Sequence, residues 1–210
     1  MTAQKPRTRI QEKNRARVLD AALEVFSQHG FRGATLDQIA SEAGLSKPNL
    51  LYYFASKEDI HVTLLGGLVD TWLAPLRALN PLGDPHDELL AYMRRKLQMS
   101  RDFPRESRLF AQEIVQGAPR IGDGLSTDLK DLVDEKATVI AQWMAEGKLA
   151  QSDPHHLIFS IWSLTQHYAD FEVQVRAVLG DNRDPWAEAE TYLTVHFQRV
   201  LGVTDPMHGQ

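Results

Sequence analysis

At three places in the body of the chain an aspartate stands directly before a proline: Asp84-Pro85, Asp153-Pro154 and Asp184-Pro185. An aspartate carboxylate accepts the orphan N–H groups of a first helical turn. Proline has no N–H to leave unsatisfied, and its fixed φ suits the first helical position. Each pair therefore reads as the start of a helix. No long alternating Val/Ile/Thr run offers a competing strand. Apolar residues recur instead at helical spacing, as in Val18, Ala22, Leu23 and Phe26, with Gly30 placed to end that helix. Thr35-x-x-Gln38 is a capping-box pattern, and the helix it opens ends near Gly44. Ser46 opens another, with Pro48 in its first turn. Ser56 opens a fourth, running to about Leu79 with a bend before Pro75. Long helices are expected over Ser126–Glu146, His155–Leu179 and Trp186–Leu201. The expectation is an all-α fold of about nine helices, short ones first and long ones later.

Charge divides the chain unevenly. Residues 1–57 hold nine basic and five acidic side chains, net +4, whereas the remainder holds fourteen and twenty-three, net −9. Lys5, Arg7, Arg9, Lys13, Arg15 and Arg17 crowd the first seventeen residues against a single Glu12. A basic arm on a basic head suits a polyanion, even though the whole chain is acidic at −5. With no cysteine, disulfides, thiolate catalysis and cysteine-ligated metals are excluded. No apolar run is long enough to span a membrane and no secretory leader is evident, so a cytoplasmic protein is expected.

The spacing from Thr35 to Tyr53 is the most specific signal. A helix-turn-helix needs a small residue where its helices pack closest, and Ala40 supplies it. It needs a residue tolerant of positive φ in the tight turn, and Gly44 stands there. Ile39, Ala43, Leu45 and Leu50 can hold the helices together. The second helix then presents Ser46, Lys47, Asn49, Tyr52 and Tyr53. Asparagine can pair with the adenine edge and lysine with guanine. Tyr52, Tyr53 and Lys57 are expected on phosphates, and Thr35 and Pro48 complete the candidate DNA-facing set.

The run Gly33-Ala-Thr-Leu-Asp-Gln-Ile-Ala-Ser-Glu-Ala-Gly-Leu-Ser-Lys47, followed by Leu50-Leu-Tyr-Tyr-Phe-Ala-Ser-Lys-Glu58, resembles the DNA-binding head of TetR-family repressors. Ala21-Ala22-x3-Phe26-x3-Gly30-Phe31 extends the likeness upstream. The chain departs from the family at Pro48-Asn49 and Leu51-Tyr52, inside the recognition helix, so an operator sequence does not carry over. The body is similar to a narrower group in that family, the pyrimidine-utilisation repressors. The similarity rests on Trp72-Leu-Ala-Pro75, Ser107-Arg-Leu-Phe110, Asp153-Pro-x-His156-Leu-Ile-Phe and Ile161-Trp-x2-Thr165-Gln166-His-Tyr-Ala-Asp170-Phe171. The resemblance implies a homodimer that binds double-stranded operator DNA and responds to uracil or thymine.

A small planar effector needs stacking faces and a donor–acceptor pair in an apolar pocket. A carboxamide gives and accepts at once, matching one edge of uracil. Ile158, Trp162, Gln166 and Ala169 share one helical face, and Gln166 is the first ligand candidate. Trp72 and Trp162 are wall or stacking candidates, Leu73 and Phe110 complete the wall, and Tyr92, Lys96 and Arg108 offer polar contacts. His167 and Asp170, three apart, can pair to pin the pocket helix; a competing reading makes them the working groups of an all-helical hydrolase or lyase. His155 and His156 point about 100° apart on a helix and lack a second ligand pair, so no metal is expected. No catalytic residue and no cofactor is expected either.

Ile161, Leu164, Tyr168, Val175, Val178, Tyr192, Val195, Phe197 and Val200 exceed what one protomer core readily uses. They point to a homodimer built from the last two helices of each subunit. The expected organisation is a basic flexible arm over 1–13, the helix-turn-helix over 14–55, a ligand-binding and dimerisation body over 56–203, and a tail over 204–210.

Overall fold

The computed structural model of the chain describes residues 9–202. Among them are ten α-helices: α1 (Arg9–Gly33), α2 (Leu36–Glu42), α3 (Lys47–Tyr53), α4 (Lys57–Arg77), α5 (Pro85–Asp102), α6 (Pro104–Val115), α7 (Gly122–Ala145), α8 (Pro154–Asp170), α9 (Glu172–Leu179) and α10 (Pro185–Val200). The all-α expectation holds. Among the described residues no helix is long and apolar enough to cross a membrane.

Each of the three Asp-Pro pairs of the body caps a helix as its chemistry dictates. Asp84 accepts the amides of His86 and Asp87 at 3.0 Å, Asp153 that of His156 at 3.0 Å, and Asp184 those of Trp186 and Ala187 at 3.0 and 3.3 Å. Pro85, Pro154 and Pro185 occupy the first turn behind them. The count of about nine needs one correction. The expected helix from His155 to Leu179 is two, because Phe171 leaves helical geometry (φ −115, ψ 29) between α8 and α9. No glycine or proline marks the break. Phe171 still donates to His167 O at 2.9 Å and accepts from Val175 at 3.0 Å, so both helices end satisfied. α1 begins at Arg9, so Arg9 and Lys13, expected within a flexible arm, are helical. Lys5, Arg7 and the tail 204–210 lie outside the described residues.

The helices sort into two compact units. One runs to Val69 and includes Arg108–Ile121; the other comprises Asp70–Ser107 and the chain from Gly122 onward. Helices α4 and α6 thus contribute residues to both. The second unit packs around Leu76, Leu89, Met93, Ile140, Ile158 and Phe197, all nearly or fully buried.

In the first unit Val18, Ala22 and Phe26 of α1 meet Ile39 and Ala40 of α2, Leu50 of α3, Ile60 and Leu65 of α4, and Leu109 of α6. A polar cluster sits inside this apolar core. Glu113, 2% exposed, accepts from the Arg120 amide at 2.8 Å and from its guanidinium at 2.9 Å. That guanidinium lies 3.6 Å from the centre of the Phe31 ring. His61, also 2% exposed, meets Phe26 and Phe31 edge-on at 4.8 and 4.9 Å, and its Nδ1 has no hydrogen-bond partner. Burial pushes the His61 imidazole down to about 4, against the opposing pull of Glu113 and with help from Arg120 and Lys57.

This cluster sets an acid limit on the first unit. Between its ordinary value of 6.5 and about 4, the unfolded chain takes up a proton that native His61 refuses. Stability is therefore lost as pH falls through that window, by on the order of 3 kcal/mol for a shift of this size. Urea unfolding at pH 7 and pH 4.5 should show a smaller acid loss for His61→Leu than for the wild type. An equal loss in both would show that His61 is not responsible.

Candidate functional site

The turn between α2 and α3 is closed by backbone and by one arginine. Gly44, at φ +62, lets its own amide reach Ser41 O at 3.0 Å and the Leu45 amide reach Ala40 O at 2.9 Å. Ala40 is 3% exposed, the small contact that brings the two helices close. Arg17 of α1 donates to Ala43 O at 2.6 Å, on the same side of the turn. Thr35 and Gln38 form the full capping box of α2, and Ser46 Oγ caps α3 through the Asn49 amide at 3.4 Å.

This frame presents Ser46, Lys47, Pro48, Asn49 and Tyr52 on the exposed side of α3, with Thr35 exposed at the start of α2. Lys47 pairs with Asp37 at 2.9 Å, but both side chains are well exposed, so the pair is weak enough to yield to a phosphate or a base. The Tyr52 hydroxyl accepts from Gln11 Nε2 at 2.8 Å, and the Tyr53 hydroxyl from Asn14 Nδ2 at 2.9 Å. The last turn of α3 is held by Arg15, which donates to Tyr53 O at 2.9 Å and covers the Phe54 ring at 3.9 Å.

Lys57 requires a correction. Its ammonium does not face outward for a phosphate; it donates to Phe31 O and Ala34 O, both at 2.7 Å, and lies 4.5 Å from the Phe31 ring centre. Three donors on a long flexible stem satisfy the carbonyls left open where α1 turns at Gly30. Conversely, Gln11, Asn14, Arg15 and Arg17 belong to the site although sequence reasoning missed them as its builders. Continuing the α1 stripe upstream of Val18 by three- and four-residue steps would have reached Asn14, Arg15 and Gln11.

In the second unit, α5 and α8 carry most of the candidate ligand residues. Tyr92 and Lys96 lie one turn apart on α5 and are 4% and 3% exposed. Trp162, Gln166 and Asp170 follow at the same interval on α8. Trp162 Nε1 donates to the Tyr92 hydroxyl at 2.5 Å. Burial raises the Tyr92 phenol far above its usual value, against the opposing effect of that bond. Lys96 Nζ stands 5.4 Å from the Trp72 ring centre, and burial pushes its ammonium down to about 8 while Asp170 opposes the shift. Trp72 and Leu73 are buried, and Trp72 Nε1 is a buried donor with no partner. Gln166 is half-buried between these groups along α8.

Arg108 and Phe110 fall in the first unit, where Phe110 packs against the apolar core. Asp170 accepts from Ser107 Oγ at 2.6 Å, while the His167 ring is exposed and stacked on Phe171 at 5.1 Å. That geometry does not favour the hydrolase or lyase reading of the pair. His155 and His156 diverge onto separate carboxylates, Asp134 and Asp153.

Of the apolar residues expected between subunits, Ile161 and Phe197 are each 1% exposed and belong to the protomer core. Val178, Tyr192, Val195 and Val200 remain exposed, and Phe159, Phe171 and Val173 join them. Exposed apolar residues thus recur along α8, α9 and α10 and at the α8–α9 junction, while others, among them Val62, Leu82 and Val115, lie elsewhere.

Comparison with known proteins finds two family models. Residues 18–62 match "Bacterial regulatory proteins, tetR family" and residues 65–201 match "YcdC-like protein, C-terminal region". The chain is 52% identical over 174 residues to the HTH-type transcriptional regulator RutR of Escherichia coli K12, covering 83% of this chain and 82% of that protein. Among solved structures it is similar to AibR in complex with isovaleryl coenzyme A and operator DNA (TM-score 0.69, 15% identity, 90% of this chain and 98% of that one). It is also similar to a TetR-like transcriptional regulator from Rhodococcus sp. RHA1 (TM-score 0.66, 19% identity, 94% and 100%).

The turn itself is testable. A Cβ on Gly44 would adopt a left-handed backbone and lie 3.0 Å from Arg17 Nη2. Gly44→Ala should destabilise the chain by about 1–2 kcal/mol in urea unfolding at pH 7. Unchanged stability would mean that the turn relaxes to another geometry.

Proposed function

The chain belongs to the TetR family of bacterial regulators, and from that premise we propose that it is a pyrimidine-responsive repressor. It binds a palindromic operator as a homodimer and releases it when uracil or thymine enters the body. The observation that carries the effector reading is the polar stripe between α5 and α8. There Lys96 and Tyr92 of α5 are buried, Trp162 of α8 donates to the Tyr92 hydroxyl and shares its helix face with Gln166, and Trp72 of α4, its ring centre 5.4 Å from Lys96 Nζ, has a partnerless indole N–H. A buried donor without an acceptor costs about 1–3 kcal/mol, and a ring carbonyl would supply that acceptor. The Gln166 carboxamide offers the donor–acceptor edge that pyrimidine N–H and C=O groups require. The likeness to RutR over four fifths of the chain supports the same reading.

Two recognition helices, α3 from each subunit, would enter successive major grooves about 34–36 Å apart, which makes the operator a palindrome. Asn49 reads base edges, and Tyr52 and Tyr53 bond phosphates. Helices α4 and α6, which contribute to both units, carry the response of the body to the head. The effector acts only by binding the released state more tightly than the DNA-bound one. Residues 14–55 serve as the DNA-binding domain and 56–203 as the ligand-binding and dimerisation body. The exposed apolar residues of α8–α10 form the subunit interface.

Uracil or thymine, titrated into a complex of the protein with a duplex it recovers from a random pool, should release the DNA in an anisotropy assay. No release by any pyrimidine would overturn the effector reading. Gln166→Ala should keep DNA affinity within about twofold and lose at least tenfold in pyrimidine response, as expected when one hydrogen-bonded contact is removed. A retained response would remove Gln166 from the site.

The interface predicts a separate outcome. Tyr192→Asp with Val195→Asp places two charges in the apolar face and should shift the protein from dimer to monomer in sedimentation equilibrium, with loss of palindrome binding. A dimer that persists would place the interface elsewhere.

A further inference from the structure

A tyrosine hydroxyl is ambivalent: it can donate one proton and accept at its oxygen. A phosphate oxygen only accepts. On α3 the two candidate phosphate-binding hydroxyls each have the acceptor side occupied by an amide N–H from α1: Gln11 Nε2 on Tyr52 at 2.8 Å and Asn14 Nδ2 on Tyr53 at 2.9 Å. Gln11 and Asn14 are three residues apart on α1 and so share a face, while Tyr52 and Tyr53 are consecutive and meet edge to face at 5.1 Å. Tyr52 is 69% exposed, so the residue is open to a ligand. The N-terminal part of α1 thus does more than carry charge.

We infer that Gln11 and Asn14 are positioning residues for DNA recognition. Each fills the acceptor side of a tyrosine hydroxyl, so that Tyr52 and Tyr53 face the duplex as obligate donors to backbone phosphates. The inference rests on the DNA-binding reading of the head. Its chemistry is specific. An amide that only braced α1 against α3 could be replaced by any group that keeps a hydrogen bond to the hydroxyl. A positioning amide cannot be replaced by an acceptor, because an acceptor takes the proton meant for the phosphate.

Gln11→Glu makes that distinction. The carboxylate keeps a hydrogen bond to Tyr52 but reverses it, and it also adds a negative charge near the duplex. The charge is controlled by making the same substitution in a Tyr52→Phe background, where no hydroxyl remains. Dissociation constants would be measured by fluorescence anisotropy on a duplex that the wild-type protein recovers from a random pool. Melting temperatures would confirm that each variant folds. Gln11→Glu should weaken binding about ten times more in the presence of the Tyr52 hydroxyl than in the Tyr52→Phe background, the effect of one hydrogen bond to a charged acceptor. Tyr52→Phe alone should weaken binding with no change in the slope of log affinity against log salt, since no cation is removed.

Equal losses in the two backgrounds would leave only a charge effect and overturn the inference. If Gln11→Glu fails to fold, Asn14→Asp against Tyr53→Phe makes the same test. If the wild-type protein recovers no duplex, the DNA-binding reading fails and this inference falls with it; recovery with equal losses removes the inference alone.

Discussion

The turn that aims α3 depends on a guanidinium reaching across a residue without a side chain. Arg17 meets Ala43 O at 2.6 Å beside Gly44, which holds φ at +62. Two residues earlier on α1, Arg15 fixes the other end of α3 through Tyr53 O and the Phe54 ring. A seven-residue helix is too short to be stable alone. Its orientation is therefore imposed from outside, by α1 at both ends and by Leu50 in the core. Any reading of bases by Asn49 depends on that imposed geometry, since a hydrogen bond to a base edge tolerates only a few tenths of an ångström.

Buried polar groups are partnered differently in the two units, though each leaves a nitrogen without a hydrogen-bond partner. In the first, Glu113 receives two donors from Arg120, and Lys57 saturates two carbonyls. Among the described residues of this unit only His61 is left short, and it escapes the larger penalty by staying neutral. In the second, the Trp72 indole N–H goes unpartnered and the Lys96 ammonium is held in place against strong desolvation. Unsatisfied buried groups are few in folded proteins and concentrate where something else is meant to bind. The effector is proposed beside α5 and α8 because there the unpartnered Trp72 donor has the buried Lys96 ammonium 5.4 Å from its ring centre.

What was legible in the sequence was local. Caps at Asp84, Asp153, Asp184, Thr35 and Ser46 could be read because donor and acceptor lie within four residues of each other. The helix-turn-helix could be read because Ala40 and Gly44 act through the same short stretch of chain. The break at Phe171 could not, since neither glycine nor proline announces it and the helical hydrogen bonds resume on both sides. Nor could the destination of long cationic side chains. Lys57 looks like a phosphate ligand until its partners, twenty-three and twenty-six residues away, are known. Phe110 reads equally well as pocket wall or as core of the first unit, because an aromatic on an amphipathic helix carries no mark of which neighbour it meets.

That same limit changes what the charge arithmetic means. The head carries nine basic residues, yet Arg15, Arg17 and Lys57 donate to backbone carbonyls within the unit, and Lys47 faces Asp37. Counterion release counts only the cations that reach phosphates, so a net +4 overstates the electrostatic part of DNA affinity. In the proposed function neutral donors held in fixed directions share the binding with the remaining cations. Under the proposed function those are Asn49 and the exposed Tyr52, with the half-buried Tyr53 beside it, the two tyrosine hydroxyls accepting from Gln11 and Asn14. Neutral contacts of this kind are less screened by salt and more demanding in geometry. A head that relies on them needs its recognition helix held rigidly, and two of its arginines do that work within the fold.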